Sequence, residues 1–99
     1  MVTVVTHVRV KEGRGPDWDR VFTDRVNAAT GKQGFVVVQL CRPRDSDRER
    51  VIVGTWQRQE DWEAWHHDPE FVETRRELEE TADVTDDSQW YDVIVASRD

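Results

Sequence analysis

Three features of the sequence predict an α+β fold of ferredoxin-like type, β-α-β-β-α-β with a four-stranded antiparallel sheet, over residues 1–99 as one domain. Val2, Val4, Val8 and Val10 recur at period two, with Thr6 completing the same face, which marks a strand. Trp18, Val21, Phe22, Val26 and Ala29 recur at helical spacing. Two almost continuously apolar runs, FVVVQLC and VIVGTW, follow with only a polar connection between them, and a second helix and a last strand-like run complete the order.

Taken along the chain, the first strand ends where Lys11 to Gly15 breaks the alternation. Pro16 and Asp17 suit a helix's first turn: the missing N–H of proline costs nothing there, and a carboxylate meets the positive end of the helix dipole. Gly31 ends that helix. Gly34 to Cys41 reads as the second strand, Arg42 to Arg50 as a polar hairpin connection, and Val51 to Trp56 as the third strand. A short helix spans about Gln59 to His67. Asp68 and Pro69 then restart the chain as an N-cap and first helical residue, and Phe71, Val72, Arg75, Leu78 and Ala82 line one face of a longer helix. The acidic stretch from Asp83 to Gln89 reads as a loop and Trp90 to Ser97 as the fourth strand.

With 99 residues, 36% hydrophobic and 35% charged, the chain has a thin core for a monomer. Two helices form one layer and cover one sheet face, yet the second and third strands are apolar on both faces; a second copy of the sheet supplies the missing cover, which predicts a homodimer. The net charge of −7 repels phosphate backbones and anionic lipid, so neither nucleic acid nor membrane is expected as a partner. Cys41 is the only cysteine, which excludes an intrachain disulfide and suits a reducing, cytoplasmic setting; its place in FVVVQLC predicts a buried small hydrophobe. The opening residues alternate and lack a basic run, so they read as a strand and not as a signal peptide. Gly-rich phosphate loops, CxxC, HExxH and GxSxG are missing, which leaves nucleotide, flavin and zinc-hydrolase chemistry without support.

Five tryptophans are many for this length, and three of them, Trp56, Trp62 and Trp65, fall within the stretch TWQRQEDWEAWHHDPEF, residues 55–71. Large flat side chains where a strand hands over to a helix are a means of lining an apolar pocket. The strand ending at Trp56, the acidic helix with Trp62 and Trp65, and the Asp68-Pro69-Glu70-Phe71 restart together resemble the antibiotic biosynthesis monooxygenase family, and the resemblance covers nearly the whole chain. It implies a dimeric α+β barrel. It does not imply one chemistry, since the fold also carries haem-degrading enzymes, cofactor-free oxygenases and members without known activity. Set against the haem-degrading branch, the active-site tryptophan falls on Trp65, the haem-ligating histidine on Arg75, and the active-site asparagine at about Thr6. An arginine is permanently protonated and cannot coordinate iron, so haem is expected only if His66, His67 or His7 replaces that ligand.

Oxygenation of an electron-rich aromatic without a cofactor needs a dry pocket for a flat substrate, a base, and a cation that favours the substrate anion. Trp62, Trp65, Phe22, Phe71 and Thr6 are the candidate walls. Arg75 is the candidate cation, and His7 or His66 the candidate base. Each has a plainer reading. Trp62 and Trp65 are also ordinary core positions. Arg75 stands four residues before Glu79, the spacing of a solvated ion pair, which the neighbouring glutamates favour. His66 and His67 point about 100 degrees apart on a helix, so they cannot share a metal ion, and surface placement beside Asp68 suits both. His7 lies on the face opposite Val4 and Val8, and Trp90 and Tyr91 suit interface packing. The chain therefore reads as a small dimeric monooxygenase for an aromatic or polycyclic substrate, with no bound cofactor. A non-catalytic ligand-binding or structural dimer and a divergent haem-binding protein are the alternatives.

Overall fold

In a computed structural model, which describes residues 1–85 and 87–97, the strand β1 (Val2–Val10) runs through the middle of an antiparallel sheet. It is followed by α1 (Gly15–Ala29), β2 (Phe35–Cys41), β3 (Glu49–Trp56), α2 (Gln59–Trp65), α3 (Pro69–Thr81), β4 (Ala82–Thr85) and β5 (Gln89–Asp92). The sheet order is β2-β3-β1-β4, with β5 also paired to β1. The predicted fold class stands, with the last strand divided in two.

That division corrects two expectations. The acidic segment after α3 is not all loop: Ala82 to Thr85 form β4, paired with Val8–Val10. Lys11 N–H donates to the Thr81 carbonyl, which carries the chain from the helix straight into the ladder, and Asp83 stays at the surface in an ion pair with Arg48. The last strand is also shorter than Trp90 to Ser97. β5 pairs with Val2–Val5, and Val93 N–H still donates to the Met1 carbonyl. Asp86, Arg98 and Asp99 lie outside the described residues.

Both helices α1 and α3 lie on one sheet face. Val4, Val8, Val10 and Trp56 are buried beneath them, whereas His7 and Cys41 on the other face are exposed. Cys41 is thus not the buried hydrophobe its neighbours suggested, because the apolar run of β2 faces both ways and the helices cover one side. β3 begins two residues earlier than expected, and Arg50, nominally part of a polar connection, is buried at 3% exposure. Its guanidinium donates to both oxygens of Asp19 on α1 (2.7 and 3.1 Å) and to the carbonyls of Asp47 and Glu49, joining sheet to helix. Gly34, at φ 80°, is a required glycine: a Cβ there would run into the Asp61 carboxylate.

The core separates into two clusters. Val8, Val10, Trp18, Val21, Phe22 and Leu78 form one, and Ala29, Trp56, Trp65 and Phe71 form the other. Trp18 and Phe22 stack at 5.0 Å in the first, while Trp65 meets Phe71 edge-on at 5.6 Å in the second. The space between the clusters is not filled by side chains.

Candidate functional site

That space is a cavity of about 520 Å³ between the sheet and the helices, within the range that holds a small organic ligand. Its floor comes from the helix-facing positions of β1 and β3, Val4, Thr6, Val8, Ile52, Gly54 and Trp56. Gly54 sits where a Cβ would lie 3.4 Å from Val38 and 3.5 Å from Val4, so any larger side chain there must extend into the space above. Phe22 and Arg25 enter from α1, Trp62 and Trp65 from α2, and Phe71, Arg75, Leu78 and Glu79 from α3. Thr6 is held by its hydroxyl at 2.7 Å from that of Ser88, at the gap between β4 and β5.

The structure brings together Thr6, Phe22, Trp62, Trp65, His66, Phe71 and Arg75 around one cavity. His7 is elsewhere: it is exposed on the opposite sheet face, paired in register with Val51, and cannot reach the cavity. His66 does not sit on the surface as expected. The end of α2 turns it inward while the adjacent His67 stays exposed. Trp90, expected at an interface, packs edge-on against Trp62 of the same chain at 4.8 Å. Arg75 makes no ion pair with Glu79 among the described residues; instead it donates to the His66 carbonyl at 3.3 Å.

His66 is the most constrained polar group in the wall. Its ring lies 3.7 Å from the Trp62 ring and 4.1 Å from the Phe71 ring, centroid to centroid. Its Nδ1 is 2.8 Å from the Trp62 carbonyl oxygen, which only accepts, so the neutral ring carries its proton on Nδ1 and leaves Nε2 bare. Burial pushes its pKa down to about 4; the hydrogen bond to Trp62 opposes this, and Arg25, Arg75 and His67 add to it.

Arg25 is the functional candidate that sequence reasoning missed. It follows Val21 and Phe22 by four and three residues, on the buried side of α1, and that placement was the available signal. Its guanidinium lies 3.7 Å over the Phe71 ring and donates to the Thr74 hydroxyl (2.7 Å) and the Phe71 carbonyl (3.1 Å). Burial, then Arg75, lowers its pKa to about 10, with Glu79 acting the other way.

Such a cavity, under two helices of a ferredoxin-like sheet and lined by tryptophans and cations, makes this an α+β protein with a pocket of small-ligand size. A sequence profile of the antibiotic biosynthesis monooxygenase family matches residues 1–77, and the chain belongs to that family. It is 29% identical over 68 residues to a mycobilin-producing heme oxygenase of Mycobacterium tuberculosis, a match that takes in 69% of this chain and 65% of that protein, just under two thirds. Its fold is similar to that of SnoaB, a cofactor-independent oxygenase from Streptomyces nogalater, with a TM-score of 0.84 at 21% identity, covering 96% of this chain and 94% of the other. A conserved protein from Methanosarcina mazei superposes with a TM-score of 0.83 at 14% identity, over 91% and 89% of the two chains. These likenesses between structures concern the fold.

Proposed function

We propose that the chain is a monooxygenase that oxidises a phenolic, bicyclic or polycyclic aromatic in this cavity without a bound cofactor. The bare Nε2 of His66, held in an aromatic wall beside Arg75, carries the reading. It takes the proton of the substrate hydroxyl, a transfer that is uphill for a ring whose pKa is about 4 and that depends on stabilisation of the phenolate. Arg75 stabilises the resulting phenolate, and the indoles of Trp62 and Trp65 keep the ring flat and exclude water. The phenolate gives one electron to O₂, and the superoxide formed recombines at the ring carbon opposite the oxygen, making the C–O bond of a hydroperoxide. Loss of that carbon's proton and cleavage of the O–O bond release water and leave a quinone. One oxygen atom enters the product, the other leaves as water, and all four electrons come from the substrate.

Donor chemistry on α3 does not fit a haem site. The position that the resemblance gives to the ligating histidine is Arg75, which cannot coordinate iron, and the imidazole that does line the cavity, His66, stands at the end of α2 and not on α3. We also propose that the protein works as a homodimer joined through the uncovered sheet face, and in the cytoplasm, a reducing setting that suits its exposed, unpaired Cys41. Among the described residues no helix is long and apolar enough to cross a membrane.

The decisive experiment is oxygen uptake by the metal-free protein, with chelator present, on 1-naphthol and larger phenols. Uptake matched one-to-one by quinone and lost in His66→Gln supports the oxygenase. Consumption no faster than in buffer alone across the panel would leave the cavity as a binding site without chemistry.

A further inference from the structure

Two guanidinium groups face one cavity without an acidic partner. Arg25 and Arg75 stand 3.7 and 5.5 Å from the centroid of the same ring, Phe71. Neither makes an ion pair among the described residues, although Glu79 and Asp87 line the same cavity and Glu79 favours the charged form of Arg25. Of the five N–H donors on each, Arg25 uses two, to Thr74 and the Phe71 carbonyl, and Arg75 uses one, to the His66 carbonyl. The groups that hold Arg25 are themselves fixed, since Thr74 is tied to the Phe71 carbonyl at 2.9 Å.

Arg25 is half-buried and Arg75 is exposed, and a second positive charge beside a half-buried guanidinium costs free energy that an anion would offset. The cost is visible in Arg25, whose pKa is depressed to about 10 by burial and by Arg75. A planar carboxylate matches the fork of a guanidinium in geometry as well as charge, whereas a lone neutral hydroxyl meets neither need. The apolar remainder of the cavity then accepts a flat hydrocarbon body.

We infer that the Arg25–Arg75 pair is an anion subsite, and that the ligand of this cavity is an aromatic acid: a flat apolar ring system with a carboxylate at the end nearest Phe71. This rests on the reading of the cavity as the substrate site, but not on oxygen chemistry. The carboxylate is a permanent handle; since His66 and Arg75 meet Phe71 at the same end of the cavity, Arg75 serves both it and the hydroxyl that His66 ionises.

The test uses two probes of equal shape, 2-naphthoate and 2-naphthamide, titrated by calorimetry into the wild-type protein at neutral pH. The naphthoate is expected to bind at least tenfold more tightly. Arg25→Gln and Arg75→Gln are each expected to remove most of that preference while leaving the amide's affinity within about twofold, and Arg75→Lys to retain part of it. Equal affinity for the two probes, or binding of neither, overturns the inference before any variant is made. So does a preference that survives both substitutions. Oxygen uptake is not read here, so an inert binding protein would pass this test and fail the previous one, and an oxygenase of neutral phenols would do the reverse.

Discussion

Burial fixes the charge of His66 before any ligand arrives. With its pKa near 4, the ring is neutral and Nε2 is free throughout the physiological range. Activity that depends on it should therefore be flat from neutral pH down to about 5 and fall only as the ring protonates near 4. His66→Gln should lower turnover by about 10²-fold or more above pH 5, the deficit shrinking as the wild-type ring protonates. Stability carries the same signature. The unfolded chain binds this proton below about 6.5 and the folded chain only below about 4, so stability rises with pH across that window and is lost as pH falls through it. For a half-buried ring, with water screening allowed for, the loss is on the order of 1–2 kcal/mol. Urea midpoints of wild type and His66→Gln between pH 4 and 8 should diverge in that window and run parallel above it. Arg50 and Asp19 give a second residue-scale prediction, in which the two halves of one ion pair are unequal. Arg50 is buried and Asp19 is 40% exposed. Asp19→Ala leaves a buried guanidinium unpaired and should cost about 3 kcal/mol, whereas Arg50→Met leaves only a hydrated carboxylate and should cost about 1 kcal/mol. The reverse order in urea denaturation would show that the pair is not what joins α1 to the sheet. Much of this scale was hidden from sequence. Arg25 and Arg50 look like surface residues by type, and His66 by its neighbours. What buries them is the partner element, which periodicity along one segment does not reveal.

Elements were more legible, and for a local reason. The Asp68-Pro69 restart is encoded within a few residues, and in the structure the Asp68 carboxylate accepts from Glu70 N–H at 2.9 Å while Lys32 bridges to both acids. The break between β4 and β5 is not local. Where pairing stops depends on where β1 begins and ends, so neither the early strand at Ala82 nor the short Gln89–Asp92 could be read from the segment itself. Gly54 of β3 offers the cleanest test at this scale. Valine suits a strand better than glycine, but at this position its methyl groups have only the cavity to enter. Gly54→Val should leave stability within about 1 kcal/mol, because gained strand preference offsets tight packing. Its affinity for 2-naphthoate should fall at least tenfold. Unchanged affinity in calorimetry would mean that the ligand does not use the floor between Val4 and Val38.

For the molecule as a whole, the proposed dimer rests on the uncovered sheet face. Across it run three rows in register: Val37, Thr55, Thr3 and Tyr91; Gln39, Val53, Val5 and Gln89; Cys41, Val51 and His7. In a chain that is 35% charged, these three rows have no acid, lysine or arginine, the charged row on this face being the Arg9–Glu49 ion pair at its end, and Val37 is 45% exposed. A sheet face that is to remain in water normally alternates apolar-in with charged-out, and this one does not. The sequence already showed the two-faced strands, and the structure shows that the helices, both on the other side, leave this face open. Val53 is at its centre, flanked by Val5 on β1 and Gln39 on β2. Val53→Glu places a carboxylate in the middle row without touching the cavity on the other side of the sheet, so a dimer built on this face should dissociate to single chains while 2-naphthoate still binds. Light scattering at micromolar concentration reads the mass, and calorimetry on the same sample reads the site. A wild-type mass equal to one chain would remove the dimer. A dimer that survives Val53→Glu would have to be joined elsewhere. Loss of binding on dissociation would mean that the cavity, though walled by one chain, keeps its shape only when the sheet is backed by its partner.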